Sequence, residues 1–95
     1  MIIKTYLLAF REFELREVDV PNPSADTQEL LNQVFHYGQN DFCPKDQPSL
    51  SVGDIIELSD YYMVASVGFK KISVEKLEEH KKLPMLERII NSYKL

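Results

Sequence analysis

A small α+β domain is the fold class this sequence predicts: an antiparallel sheet of about four strands with helices on one face, in the order β-β-α-β-β-α-α. Three observations carry that prediction. Between Ser51 and Ile72, two stretches rich in branched and aromatic side chains flank the polar pair Ser59-Asp60, the pattern of a β-hairpin. Leu30, Leu31, Val34 and Phe35 recur at helical spacing between two turn signals, Pro21-Asn22-Pro23 and Gly38. The 95 residues hold no internal repeat, linker or low-complexity tract, so residues 1–95 read as a single domain.

Ile2 to Phe10 is apolar on both alternating faces except at Lys4 and Thr5, which predicts a central strand covered on both sides. The same stretch lacks a basic leader and a small-x-small cleavage site, and belongs to the fold rather than to a signal peptide. Phe13 to Val20 predicts a charged edge strand. Its apolar positions change parity between Leu15 and Val18, which a β-bulge near Arg16-Glu17 would correct. Ser24 or Asp26 then caps a helix, with Glu29 at capping-box spacing. Gln28, Asn32, Gln33 and His36 take its outer face, and Gly38 ends it in a left-handed conformation. Gln39 to Leu50 is a long loop.

In the hairpin's second strand, Tyr61, Met63, Ala65, Val67 and Phe69 share one face, which is apolar throughout and predicted to meet a core. Gly53 permits a tight turn in which Asp54 fixes loop geometry, and Gly68 marks a bulge or close approach. Ser73 caps a helix with Val74, Leu77 and Leu83 inward. Pro84 opens another that carries Met85, Leu86, Ile89, Ile90 and Tyr93, the two meeting at Lys82-Leu83.

Composition excludes several classes. No apolar run approaches the roughly 18 residues of a membrane helix. One cysteine, Cys43, and two distant histidines, His36 and His80, build neither a disulfide nor a metal site and fit a reducing cytoplasm. The net charge of -4 argues against phosphate binding, because residues 11 to 29 carry six acids and two bases, and residues 40 to 60 five acids and one base. No Gly-rich phosphate loop, His-Glu-x-x-His, Gly-x-Ser-x-Gly or Cys-x-x-Cys is present. No catalytic residue, cofactor or metal is therefore predicted.

What remains is a polar cluster after the first helix. Tyr37, Gln39, Asn40, Asp41, Lys45 and Asp46, beside Tyr62 of the hairpin, form the candidate partner-binding surface, because long ordered loops often carry function. Two rival readings use other residues. Tyr61 or Tyr62 could stack on bases while Lys70 and Lys71 hold phosphates, or His36 with Asp41 or Asp54 could serve as a general acid/base.

Pro48-Ser49-Leu50-Ser51-Val52-Gly53-Asp54-Ile55-Ile56, followed by Tyr61-Tyr62-Met63-Val64-Ala65-Ser66-Val67-Gly68-Phe69-Lys70, resembles the S-x-S-V-G-D-V … Y-Y-x-V-x-S-x-G-F pattern of YodL-like small domains. The likeness covers about a quarter of the chain and brings no catalytic or ligand residue with it. It implies an accessory protein of bacterial plasmids, conjugative elements or phages. The expectation is a non-enzymatic cytoplasmic module that binds a protein partner, with no membrane role and nucleic acid disfavoured, and compatible with a homodimer closing an exposed sheet edge.

Overall fold

The computed structural model describes residues 1–8, 14–39 and 49–94. The chain runs β1 (Ile2–Leu7), β2 (Glu14–Asp19), α1 (Thr27–Tyr37), β3 (Ile55–Glu57), β4 (Tyr61–Val64), β5 (Phe69–Ile72), α2 (Val74–Lys82) and α3 (Met85–Tyr93). The strands form one sheet in the order β2-β1-β3-β4-β5, antiparallel at every junction. β2 and β3 flank β1, so α1 carries the chain across one face between them. The predicted α+β class and antiparallel sheet stand, with β1 interior and β2 at an edge.

Five strands replace the expected four because the second hairpin strand breaks. Ala65 N–H donates to the Gly68 carbonyl at 3.0 Å, and Gly68 takes φ +73°, a conformation side chains rarely adopt. The resulting turn returns the chain as β5, with Phe69 opposite Val64. The expected common face holds for Tyr61 and Met63, and Ala65 too is buried, but it does not extend to Val67 and Phe69. Val67 sits at the turn, 84% exposed, and Phe69 joins the opposite core, its ring edge-on to Phe35 with centroids 6.2 Å apart.

The helices divide between the two faces of the sheet, which corrects the expectation that they share one. Neighbouring strand residues point oppositely: Ile56 packs with Leu31 and Val34 of α1, Ile3, Val18 and Val64, while Ile55 packs with Met63, Leu8 and Leu77 of α2. Ser92 of α3 reaches the sulfur of Met63 at 3.5 Å, placing α3 on the α2 side. Both sheet faces are covered because alternate residues on β3 and β4 are apolar in both phases.

No bulge interrupts β2, whose pairing with β1 runs unbroken from Ile2 opposite Asp19 to Leu7 opposite Glu14. Arg16 takes an inward slot with Val18, and Leu15 points out, 53% exposed. Burial pulls the Arg16 guanidinium below its ordinary value, while the charges of Asp54 and Glu14 oppose that shift. Charge compensation thus admits an arginine where the hydrophobic pattern predicts an apolar residue.

Asp26 caps α1 through Glu29 N–H at 3.0 Å, but Glu29 turns to the Ser24 hydroxyl at 2.8 Å instead of closing the predicted box. Gln33, expected to face outward, clamps the preceding turn through Ser24 N–H and the Asn22 carbonyl, each at 2.8 Å. Gly38 is not left-handed, its φ being -82°. Space is what requires it: a Cβ there would stand 2.5 Å from Leu50 Cδ1.

Candidate functional site

Of the predicted surface, Asn40, Asp41, Lys45 and Asp46 lie outside the described residues, as does Cys43. Tyr37 and Tyr62 are half-buried and pack against the same core, on the α1 side. Gln39 donates from Nε2 to the Phe35 carbonyl at 2.8 Å, capping the end of α1. The structure gives these three residues packing and capping contacts. His36 is exposed on α1 with its ring edge-on to Tyr37 at 5.0 Å.

Asp54 is 2% exposed, and its two oxygens accept the Leu8 and Ser51 amides at 2.8 Å each. Together with Gly53 at φ 100° and the Asp54 N–H on the Ser51 carbonyl, this is the turn geometry the sequence predicts for Gly53-Asp54. It ties the start of β3 to the end of β1.

Tyr61 and Tyr62 project to opposite faces of β4, each half-buried against a different core. They do not form a common stacking platform. Lys70 and Lys71 are exposed on the edge strand β5, with Lys71 paired to Asp60 at 3.3 Å. On the α2 side, Tyr6 donates its hydroxyl to Glu57 at 2.9 Å. Burial first, then that bond and the carboxylate's charge, push the Tyr6 phenol up to about 12. Tyr61 is also raised, chiefly by its hydrogen bond to Glu57. Both rings are thereby held protonated around one carboxylate.

Sequence reasoning missed the most unusual geometry, which lies between α2 and α3. Ser73 caps α2 as predicted, accepting the Lys76 amide at 3.1 Å, and the helix ends at Leu83 before Pro84. A helix end leaves carbonyls without intrahelical partners. Arg88, 6% exposed, supplies donors to them: Nε to the His80 carbonyl at 3.1 Å and Nη2 to the Lys81 carbonyl at 2.9 Å. Its Nη1 reaches the Leu8 carbonyl at 3.2 Å, so one guanidinium locks α3, α2 and the end of β1 together.

His80, 3% exposed, stands 2.9 Å from the Gly53 carbonyl through Nε2. A carbonyl only accepts, so Nε2 carries the proton. Desolvation pulls the His80 pKa down, the Gly53 carbonyl pulls it up, and the nearby Arg88 and Lys76 charges lower it again. The ring is therefore neutral and its Nδ1 is an acceptor. A cavity of about 370 Å³ opens beside it, lined by Met63, His80, Leu83, Lys76, Lys82 and Asn91, with Glu79.

α3 packs with its polar side inward. Arg88 and Ser92 are buried, whereas Leu86, Ile90 and Tyr93 are 68%, 45% and 58% exposed. This corrects the expectation that Met85, Leu86, Ile89, Ile90 and Tyr93 face the core; of these Ile89 alone is half-buried, and Met85 is exposed with the rest. Val74 of α2 is likewise exposed, while Leu77 is buried and Leu83 partly so. The legible signal was Arg88 and Ser92 at four-residue spacing, one helical face apart from the apolar stripe.

Among the described residues, no group of three or more His, Cys, Asp or Glu side chains could hold a metal ion, and no helix is long and apolar enough to cross a membrane. Fold and site together define a small α+β protein with a five-stranded sheet between helices and an outward apolar helix face. Compared with protein-family models, curated proteins and solved structures, the chain matches none.

Proposed function

We propose that this chain is a non-enzymatic protein-interaction module, an accessory or inhibitor protein of a bacterial mobile element that acts in the cytoplasm, and that it docks on its partner through α3. The inversion of that helix supports the reading most. Each large apolar side chain left in water forgoes roughly 1.5–3 kcal/mol of burial, and Leu86, Ile90 and Tyr93 form one such exposed stripe. A partner's surface would recover that energy. The net charge of -4 suits a basic partner surface, and the YodL-like pattern supports the mobile-element setting.

Dimerisation through a sheet edge is less favoured. Antiparallel self-pairing about a two-fold axis, in the registers of greatest overlap, sets Arg16 or Glu17 of β2, or Lys70 or Lys71 of β5, against its own copy. Like charges directly opposite destabilise a pair.

A photo-crosslinking residue placed at Ile90, and separately at Gln28 on α1 and at Tyr37, tests the proposal in cells. The expected result is a heteromeric adduct from position 90 that disappears with Leu86→Glu. Adducts from position 37 alone would return the interface to the loop, and absence from all three would overturn the module reading.

A further inference from the structure

We infer that the cavity between α2 and α3 is a binding site for a small hydroxylated aromatic molecule, whose hydroxyl donates to His80 Nδ1. Three features of the walls define that chemistry. His80 has no hydrogen-bond partner other than the Gly53 carbonyl among the described residues. His80 lines the cavity with its Nε2 already bound, so Nδ1 is the ring nitrogen available to a ligand there. A neutral imidazole acceptor in a recess whose surface is mostly apolar, with Glu79 and Asn91 as further polar groups in its lining, suits a ligand with a hydrogen-bond donor.

Met63 supplies a thioether to the same wall, and sulfur favours the edge of an aromatic ring. Lys76 and Lys82, both exposed, also line the cavity, and an ammonium is attracted to a ring face. Size agrees as well. A cavity of about 150 Å³ holds benzene, so 370 Å³ admits a ring bearing a second ring or a side arm. The walls are also held in place before any ligand arrives: Arg88 clamps α3 to the end of α2, and Ser92, whose hydroxyl donates to the Arg88 carbonyl at 2.6 Å, lies against the Met63 sulfur. Preorganised walls reduce the ordering cost of binding.

Titration of the full chain with 2-naphthol, followed by amide and imidazole nitrogen NMR, tests the site. The expected result is saturable shifts at Met63, His80, Leu83 and Asn91, with an upfield move of the His80 Nδ1 resonance. Naphthalene, which lacks the hydroxyl, should bind about tenfold more weakly, the loss of one hydrogen bond of about 1.4 kcal/mol. Leu83→Trp, which enlarges a half-exposed side chain of the lining, should abolish the shifts without unfolding the chain. Comparison of p-cresol with N-acetyltyrosinamide separates a free phenol from a tyrosine presented by a polypeptide, and preferential binding of either supports the site. Unsaturable shifts, an unmoved Nδ1 resonance, or equal affinity for 2-naphthol and naphthalene would overturn the inference.

Discussion

α1 and α3 are of similar length and both amphipathic, yet they present opposite sides to the sheet. α1 buries Leu31 and Val34 and leaves Gln28, Glu29, Asn32 and His36 in water. α3 buries Arg88 and Ser92 and leaves Leu86 and Ile90 outside. The difference lies in what each helix meets. α1 lies over Ile3, Val18, Ile56 and Val64, an apolar floor that rewards apolar contact. α3 meets the carbonyl end of α2 and the Leu8 carbonyl, groups that would be costly to bury without donors. Hydrogen-bond demand, rather than the apolar stripe, sets the rotation of α3.

Core truncation breaks this comparison with the largest effect. Leu31→Ala should cost about 2–5 kcal/mol, whereas Ile90→Ala should stay within about 0.5 kcal/mol. Urea unfolding of the two variants checks the contrast, and equal losses would show that α3 is packed against something on its outer face. Arg88→Met sharpens it: the carbonyls of His80, Lys81 and Leu8 lose their donor, at about 1–3 kcal/mol for each group left buried and unsatisfied. Hydrogen exchange should then quicken across α2 and α3 ahead of α1.

The smallest effect is one of pH. His80 is held below the ordinary histidine value of 6.5, first by desolvation. The unfolded chain therefore takes up the proton at higher pH than the folded one. Stability should be fully present above about pH 6.5 and decline as pH falls from there toward the folded-state pKa. Urea midpoints recorded from pH 8 to 5, for the wild type and His80→Gln, check this, since the variant should lack the histidine's share of the slope.

Legibility followed the range of the interactions involved. Asp26 and Ser73 cap their helices through amides three residues away, and Asp54 takes the Ser51 amide at the same separation, so local chemistry revealed them. The inward turn of Arg16 depends on Asp54, far along the chain, and the need for Gly38 depends on Leu50. Gly68 was legible as a special position, but not as the turn that makes β5 a separate strand. Of the predicted site, Tyr37 and Tyr62 were placed by packing, since aromatic residues beside polar ones read equally as surface or as the margin of a core.

By itself the sequence determined the α+β class, the β1 and β2 strands, both side-chain helix caps and the break before Pro84, because alternation, capping and proline geometry act within a few residues. The tertiary structure alone decided that the helices cover both faces, that α3 turns its polar side inward, and that His80 borders a cavity. Those outcomes depend on carbonyls and side chains brought together from residues 8, 53, 63, 80 and 88, whose proximity no local pattern records.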